Sequence, residues 1–147
     1  MPELNYDDLK LEHQLCFPLY ALSKEVIKLY RPYLEKINLT YTQYITMMVV
    51  WDKRKLNVKE LGEKLYLDSG TLTPVLKSLE AKGFVRRYRS SEDERILMVE
   101  VTPAGEKLRD EALPIPRQIV SNVQISLEDA VIMHRQLYNL LNQLTDK

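Results

Sequence analysis

Apolar positions along this chain recur at helical spacing, switch once to strand-like segments, and then return to helical spacing. Across residues 9–34, Leu15, Leu19, Leu22, Val26, Ile27 and Tyr30 follow a helical repeat. Pro32 marks the end of that helix or a break into a short following one. Thr40 stands three residues before Gln43, the capping-box spacing, and starts a second helix reaching residue 51. Asn57 and Glu60 repeat the signal and open a short helix over 58–66. The run Leu67-Asp68-Ser69-Gly70-Thr71-Leu72-Thr73-Pro74 is rich in capping residues and opens a helix to residue 82, with Gly83 as its stop.

After Gly83 the pattern changes. Phe84-Val85-Arg86-Arg87-Tyr88-Arg89 and Ile96-Leu97-Met98-Val99-Glu100-Val101 are β-rich and flank the polar tip Ser90-Ser91-Glu92-Asp93-Glu94-Arg95, which predicts a hairpin. Thr102-Pro103 supplies an N-cap and first-turn pair for a fifth helix, which Pro114 and Pro116 kink or interrupt. A last helix starts around Ser126-Leu127-Glu128-Asp129 and carries Ala130, Met133, Leu137, Leu140, Leu141 and Leu144 as one apolar stripe. Helix, short helix, helix and hairpin, in that order, predict a mostly α (α+β) fold: a winged helix-turn-helix over 38–102. The terminal helices, 1–37 and 103–147, carry more apolar surface than such a core can cover, and are expected to form a dimerisation region.

Composition narrows the classes. A chain of 147 residues fits one domain with a moderate core. No apolar run approaches a membrane span. The acidic start, Met-Pro-Glu-Leu-Asn-Tyr-Asp-Asp, lacks the basic and apolar regions of a signal peptide, and with a single cysteine it implies a reducing, cytoplasmic setting. Formal net charge is zero, so affinity for nucleic acid must come from local clustering.

That clustering is present. Ser69, Thr71 and Thr73 begin the candidate recognition helix, where hydroxyls and free N–H groups suit base edges or phosphates. Pro74 removes a donor early in this helix, and Lys77 is a candidate phosphate contact. Arg86, Arg87, Arg89 and Arg95 concentrate positive charge in the hairpin, where a wing can set an arginine in the minor groove. Glu92, Asp93 and Glu94 oppose that charge, although Asp93 and Arg95 share a face of an extended tip and can pair. The expected partner is double-stranded DNA. A dimer would set two recognition helices about 34 Å apart on a pseudo-palindromic operator.

Cys16 is the only cysteine, so no intrachain disulfide is possible and any further thiol chemistry needs an outside partner. His134 reads as a packed or hydrogen-bonded residue and His13 as a surface one. Their spacing gives no metal site, and no cofactor is expected. Tyr30 lies 14 residues beyond Cys16, roughly 21 Å along one helix at 1.5 Å per residue. One helix therefore cannot bring that hydroxyl to that sulfur, whereas an antiparallel partner helix can. The expected site is composite: Cys16 from one subunit, Tyr30 from the other, and Tyr41 from either.

The segments Glu12-His13-Gln14-Leu15-Cys16-Phe17, Asn38-Leu39-Thr40-Tyr41, Leu67-Asp68-Ser69-Gly70-Thr71-Leu72-Thr73-Pro74 and Glu92-Asp93-Glu94-Arg95 resemble MarR-type repressors. The resemblance is strongest to their one-cysteine, organic-hydroperoxide-sensing (OhrR-like) branch and covers essentially the whole chain, 1–147, as one MarR-like domain. It implies a homodimeric repressor that leaves DNA when Cys16 is oxidised, with Tyr30 and Tyr41 hydrogen-bonding the thiolate and Asp93 and Arg95 forming a wing-tip salt bridge. Pro18 departs from the pattern: the helix either bends there or begins close to Cys16.

Oxidation by an organic hydroperoxide would give a sulfenic acid, followed by a mixed disulfide with a small thiol or by overoxidation. The apolar neighbours Leu15, Phe17 and Leu19 favour peroxides with greasy tails. Two other readings compete: a MarR-type regulator answering to a non-covalent phenolic or drug-like ligand with Cys16 inert, and a thiol peroxidase. A virulence or global regulator with the same redox switch would look identical at this level. The peroxidase reading lacks a resolving thiol and leaves the arginine wing unexplained, so the chain is expected not to be an enzyme.

Overall fold

The first long helix begins later than its apolar spacing suggests. In the computed structural model, which describes residues 2–145, two single 3₁₀ turns at Asp7–Leu9 and Leu11–His13 precede α1 (Cys16–Glu35). The helix expected from residue 9 therefore starts at Cys16. That start accommodates Pro18, because the third residue of a helix has no intrahelical partner for its N–H. Pro32 does not end α1 and costs only one bond in its last turns. Residues 1, 146 and 147, at the outer ends of the expected dimerisation segments, lie outside the described residues.

The chain divides into two compact units, Met1–Pro114 and Ile115–Lys147. In the first, the capping box forms as expected. Gln43 N–H donates to the Thr40 hydroxyl at 3.2 Å, Thr40 N–H donates to Gln43 Oε1 at 3.1 Å, and α2 (Tyr41–Lys53) follows. Asn57 accepts the Glu60 N–H at 2.7 Å to open α3 (Val58–Leu65), and Tyr66 closes α3 in a left-handed conformation. Asp68 accepts the Thr71 N–H at 2.7 Å to open α4 (Ser69–Ala81). α4 buries Leu72, Leu76 and Leu79, spaced to share one face, and Gly83 follows it at φ +82°.

The wing is larger than the expected hairpin. β1 (Lys55–Asn57), β2 (Val85–Arg89) and β3 (Leu97–Val101) form an antiparallel sheet in the order β1-β3-β2, with Leu56 and Arg87 both paired to Val99. β1 is three residues long, too short for alternation to reveal it. Leu34, Met47, Leu61, Leu72, Leu76, Val85 and Val99 are almost fully buried and make up the centre of this unit. α5 (Pro103–Ala112) is capped by Thr102, and Trp51 Nε1 donates to the Gly105 carbonyl at 2.8 Å, fixing α5 against α2.

In the second unit, α6 (Ile115–Ser121) carries Pro116 in its first turn, so the prolines separate α5 from a new helix. The Ser126 hydroxyl accepts the Asp129 N–H at 3.0 Å and starts α7 (Leu127–Thr145). No described residue of α7 is buried, and Val131, Met133, Leu137, Tyr138 and Leu144 are exposed. No helix among the described residues is long and apolar enough to cross a membrane.

Candidate functional site

Two surfaces carry the residues singled out in the sequence. The first is formed by α4 and the wing. Ser69 and Thr71 occupy the first turn of α4 and are exposed. Asp68 uses the Thr71 N–H and places a carboxylate at this helix end, so the end is less free for phosphate than the sequence suggests. That hydrogen bond holds the Asp68 carboxyl below the usual carboxylate range. Thr73 is half-buried and donates its hydroxyl to the Ser69 carbonyl at 2.7 Å, leaving only its lone pairs for another partner. Pro74 is the sixth residue of α4, so its missing N–H does cost one helical bond, at the exposed Gly70 carbonyl. Lys77 is exposed.

The wing arginines separate into roles that sequence could not assign. Arg87 turns toward α4: its guanidinium meets Glu80 at 3.1 Å, and its backbone N–H donates to the same carboxylate at 2.9 Å. Both bonds lower the Glu80 carboxyl, the side-chain one more strongly. Arg86 pairs with Glu100 at 2.7 Å and lies over the Tyr88 ring at 4.6 Å. Arg95 grips Asp93 through Nε at 3.0 Å and a second nitrogen at 3.1 Å, which lowers the Asp93 carboxyl. Among the described residues, Arg89 is the wing arginine without a carboxylate partner, and it is exposed.

The second surface is at the two ends of α1. Cys16, its first residue, is exposed and free, with Leu15 and Phe17 exposed beside it. Toward the other end, Tyr30 meets Tyr41 of α2 edge-on, ring centroids 5.0 Å apart. Tyr44, one turn further along α2, completes a triangle at 5.7 Å from Tyr30 and 6.3 Å from Tyr41. Burial pushes all three phenols up, Tyr44 to about 12, so they remain protonated donors through neutral pH. Tyr30 and Tyr41 thus belong to one cluster of one chain. Cys16 stands 14 residues before Tyr30 on a continuous helix, roughly 21 Å away along its axis.

Comparison with known proteins fits this layout. Residues 28–112 match the family described as transcriptional regulator SarA/Rot. The chain belongs to the SarA/Rot family of transcriptional regulators. It is 46% identical over 145 residues to the organic hydroperoxide resistance transcriptional regulator of Bacillus subtilis, covering 99% of both chains. It is 42% identical to the regulator SarZ of Staphylococcus saprophyticus over 92% of this chain and 93% of that one. Among solved structures, reduced AbfR bound to DNA superposes with a TM-score of 0.77 at 29% identity, over 96% of this chain and 99% of that one. The same regulator, from Staphylococcus epidermidis, is also known overoxidised on DNA, at the same TM-score and 28% identity. The resemblance to MarR-type regulators of the organic-hydroperoxide branch is borne out, as is the winged-helix fold.

For this SarA/Rot-family chain, three features of the two surfaces escaped the sequence reading. Tyr44 had a signal, since it lies three residues after Tyr41 on one helix. The Arg87–Glu80 pair and the polar network around Gln43 had none, because each joins residues distant in sequence or on different elements. His13 is exposed, with Nδ1 at 2.8 Å from the Asp7 carbonyl, and His134 is exposed with its ring 4.8 Å from that of Tyr138.

Proposed function

We propose that this chain is a homodimeric, redox-sensing DNA-binding repressor that leaves its operator when Cys16 is oxidised by an organic hydroperoxide. The observation that carries the reading is the separation of an exposed lone thiol from a ready-made cluster of tyrosine donors on the same chain. A second copy running antiparallel brings the Cys16 of one subunit to Tyr30 and Tyr41 of the other. The exposed Phe17, Leu22 and Ile27 of α1, and the exposed face of α7, supply the apolar surface such a dimer covers. Residues 1–37 and 103–147 form this dimerisation region, and 38–102 the winged helix-turn-helix.

The thiolate attacks the terminal peroxide oxygen. The O–O bond breaks, the alkoxide leaves as the alcohol after taking a proton, and Cys16 becomes a sulfenic acid. A small external thiol then condenses with it, forming a mixed disulfide and releasing water, or a second peroxide carries it to the sulfinic acid. Tyr30 and Tyr41 donate to the sulfur before the reaction, and a bulky adduct separates them from it. The apolar neighbours of the thiol favour organic peroxides over hydrogen peroxide. The chain consumes peroxide stoichiometrically and is a regulator rather than an enzyme, acting in the cytoplasm on a pseudo-palindromic operator in double-stranded DNA.

On the DNA side, Ser69, Thr71 and Thr73 at the start of α4 meet the groove, with Pro74 shaping that turn and Lys77 reaching phosphate. Arg89 and Arg95 lead the wing, with Asp93 holding Arg95 at the wing tip. Arg86 and Arg87 support the strand that carries them. The test is operator binding by the parent and by Cys16→Ser, each with and without cumene hydroperoxide or hydrogen peroxide. Oxidised parent should lose affinity by about 5–150-fold, the range of ordinary allosteric coupling, faster with cumene hydroperoxide, while Cys16→Ser keeps its affinity. Release of the serine variant by either oxidant would sink the redox reading, and equal rates for the two oxidants would sink the peroxide preference.

A further inference from the structure

Tyr30 and Tyr41 stand on the two helices that meet at the turn 36–38, and that junction is hydrogen-bonded to the end of α4. Lys82 Nζ donates to the Asn38 carbonyl at 2.7 Å and to Gln43 Oε1 at 2.8 Å. Burial lowers the Lys82 ammonium, so these two oxygens stand in for water it has lost. Gln43 Nε2 donates to the Ser78 hydroxyl at 2.9 Å. Ser78 and Lys82 are four residues apart and present one face of the end of α4 to the start of α2. Gln43 is buried, and its capping role needs only Oε1, which accepts the Thr40 N–H at 3.1 Å. The Nε2 bond to Ser78 adds nothing to that cap, and an apolar side chain would fill the position with no polar group to satisfy. Glu80, between Ser78 and Lys82, accepts both the Arg87 backbone N–H and its guanidinium, so β2 is held to the same turn.

We propose that Gln43 is a positioning residue of the redox switch, whose bonds to Ser78 and Lys82 carry a displacement of Tyr30 or Tyr41 to α4. This role rests on the sensing function proposed for Cys16. The apolar contacts of Leu72, Leu76 and Leu79 hold α4 in the core, but hydrophobic burial is non-directional and fixes position along a helix only loosely. Hydrogen bonds are directional and are lost by about 3.6 Å. A shift of roughly 0.7 Å at the start of α2 therefore opens the 2.9 Å bond from Gln43 to Ser78. Breaking it strands polar groups of Gln43 and Lys82 in a partly dehydrated site, so moving the end of α4 along with α2 costs less than separating them. With Cys16 reduced, the closed network holds α4 and β2 in the arrangement that binds DNA. A bulky adduct on Cys16 displaces the tyrosines, the start of α2 follows, and the network takes the end of α4 with it. Thr71 and Lys77 lie on the same continuous helix and move with Ser78.

The test is operator binding by the full-length protein, reduced and after oxidation by cumene hydroperoxide with cysteine present as the small thiol. Parent, Gln43→Leu, Ser78→Ala and Ser78→Thr are compared, with Cys16 oxidation followed by mass spectrometry and thermal melting as the fold control. Gln43→Leu should oxidise at the parent rate, yet its loss of affinity on oxidation should be about 2–30-fold smaller than the parent's, the usual effect of a residue that modulates coupling. Ser78→Ala should show the same change at the lower end of that range, because Gln43 keeps its bonds to Thr40 and Lys82. Ser78→Thr keeps the hydroxyl and should match the parent. A purely structural role lowers the melting temperature and leaves the ratio of oxidised to reduced affinity at the parent value. That result overturns the proposal and leaves the sensing function standing. Slower oxidation of Cys16 in Gln43→Leu or Ser78→Ala also overturns it, since the residue then acts at the thiol rather than between the thiol and α4. If the fully oxidised parent keeps its affinity, the sensing function itself falls and the role of Gln43 falls with it. Should Gln43→Leu fail to fold, Ser78→Ala decides alone, and a ratio equal to the parent's overturns the proposal.

Discussion

The Gln43 side-chain amide donates to the Ser78 hydroxyl at 2.9 Å, joining the helix that carries Tyr41 and Tyr44 to the helix that carries Thr71 and Lys77. Gln43 Oε1 also accepts Lys82 Nζ at 2.8 Å, and Lys82 reaches the Asn38 carbonyl at 2.7 Å. One nearly buried side chain thus ties the N-terminus of α2 to two positions near the end of α4. Gln43→Leu leaves Ser78, Lys82 and the Thr40 N–H to find other partners. It should cost about 1–3 kcal/mol, the penalty for stranding a buried polar group, measured by urea denaturation. Ser78→Ala should cost less, because Gln43 keeps its other bonds.

The composite site can be tested by mixing subunits. A heterodimer of Cys16→Ser and Tyr30→Phe chains contains one intact pairing, the Cys16 of the second chain facing the Tyr30 of the first. Its oxidation rate per reactive thiol should match the parent, while the Tyr30→Phe homodimer is slower. Equal rates in the heterodimer and the Tyr30→Phe homodimer would place cysteine and tyrosine in the same chain.

The wing arginines should behave differently on mutation. Arg89→Ala should weaken operator binding across sequences and reduce the salt slope by about 1, as expected for one phosphate contact, with the melting temperature unchanged. Arg87→Ala should lower the melting temperature, because Glu80 on α4 loses the guanidinium and keeps only the backbone N–H of residue 87. A reversed pattern would show that Arg87 faces the DNA.

Gly105 is the most tightly enclosed of the glycines in the first unit. A Cβ there would press on the Phe84 carbonyl and on a Val101 methyl group, while its own carbonyl accepts the Trp51 indole N–H at 2.8 Å. Gly105→Ala should destabilise the chain by about 1–3 kcal/mol, the usual cost of overpacking. Trp51→Phe removes the donor and should also destabilise, so the double variant should cost less than the sum. Chemical denaturation of the three variants checks both statements.

Acid should act through the carboxylates that hold the wing and the helix ends. Glu80 is lowered by Arg87, Asp93 by Arg95, Glu106 chiefly by Arg54, and Asp68 by the Thr71 N–H. Each binds fewer protons in the folded chain than in the unfolded one. Their stabilisation is therefore complete above the ordinary carboxylate range, about pH 4, and is lost as pH falls through the lowered folded values. Melting temperature should be insensitive to these groups between pH 6 and 8 and fall below about pH 4. Glu80→Gln should flatten that acid limb, since it no longer takes up a proton on unfolding.

Short-range rules determined most of the architecture. Thr40, Asn57, Asp68, Thr102 and Ser126 cap their helices through side-chain bonds three residues long, and such bonds are encoded within a single turn. The winged order of elements, the lone thiol and the 14-residue gap from Cys16 to Tyr30 were likewise legible in the chain. The third strand and the partners of the arginines were not, whereas the start of α1 at Cys16 is one of the two outcomes that Pro18 left open. β1 is too short to carry a period, and Arg87 meets Glu80, whereas Arg86 meets Glu100, because of strand register rather than local sequence. Tertiary packing alone decided that Tyr30 and Tyr41 share one cluster with Tyr44 behind them, and that Gln43 is bonded to α4. Both depend on where α2 lies against its neighbours, and that position is set by the summed packing of the core rather than by any one motif.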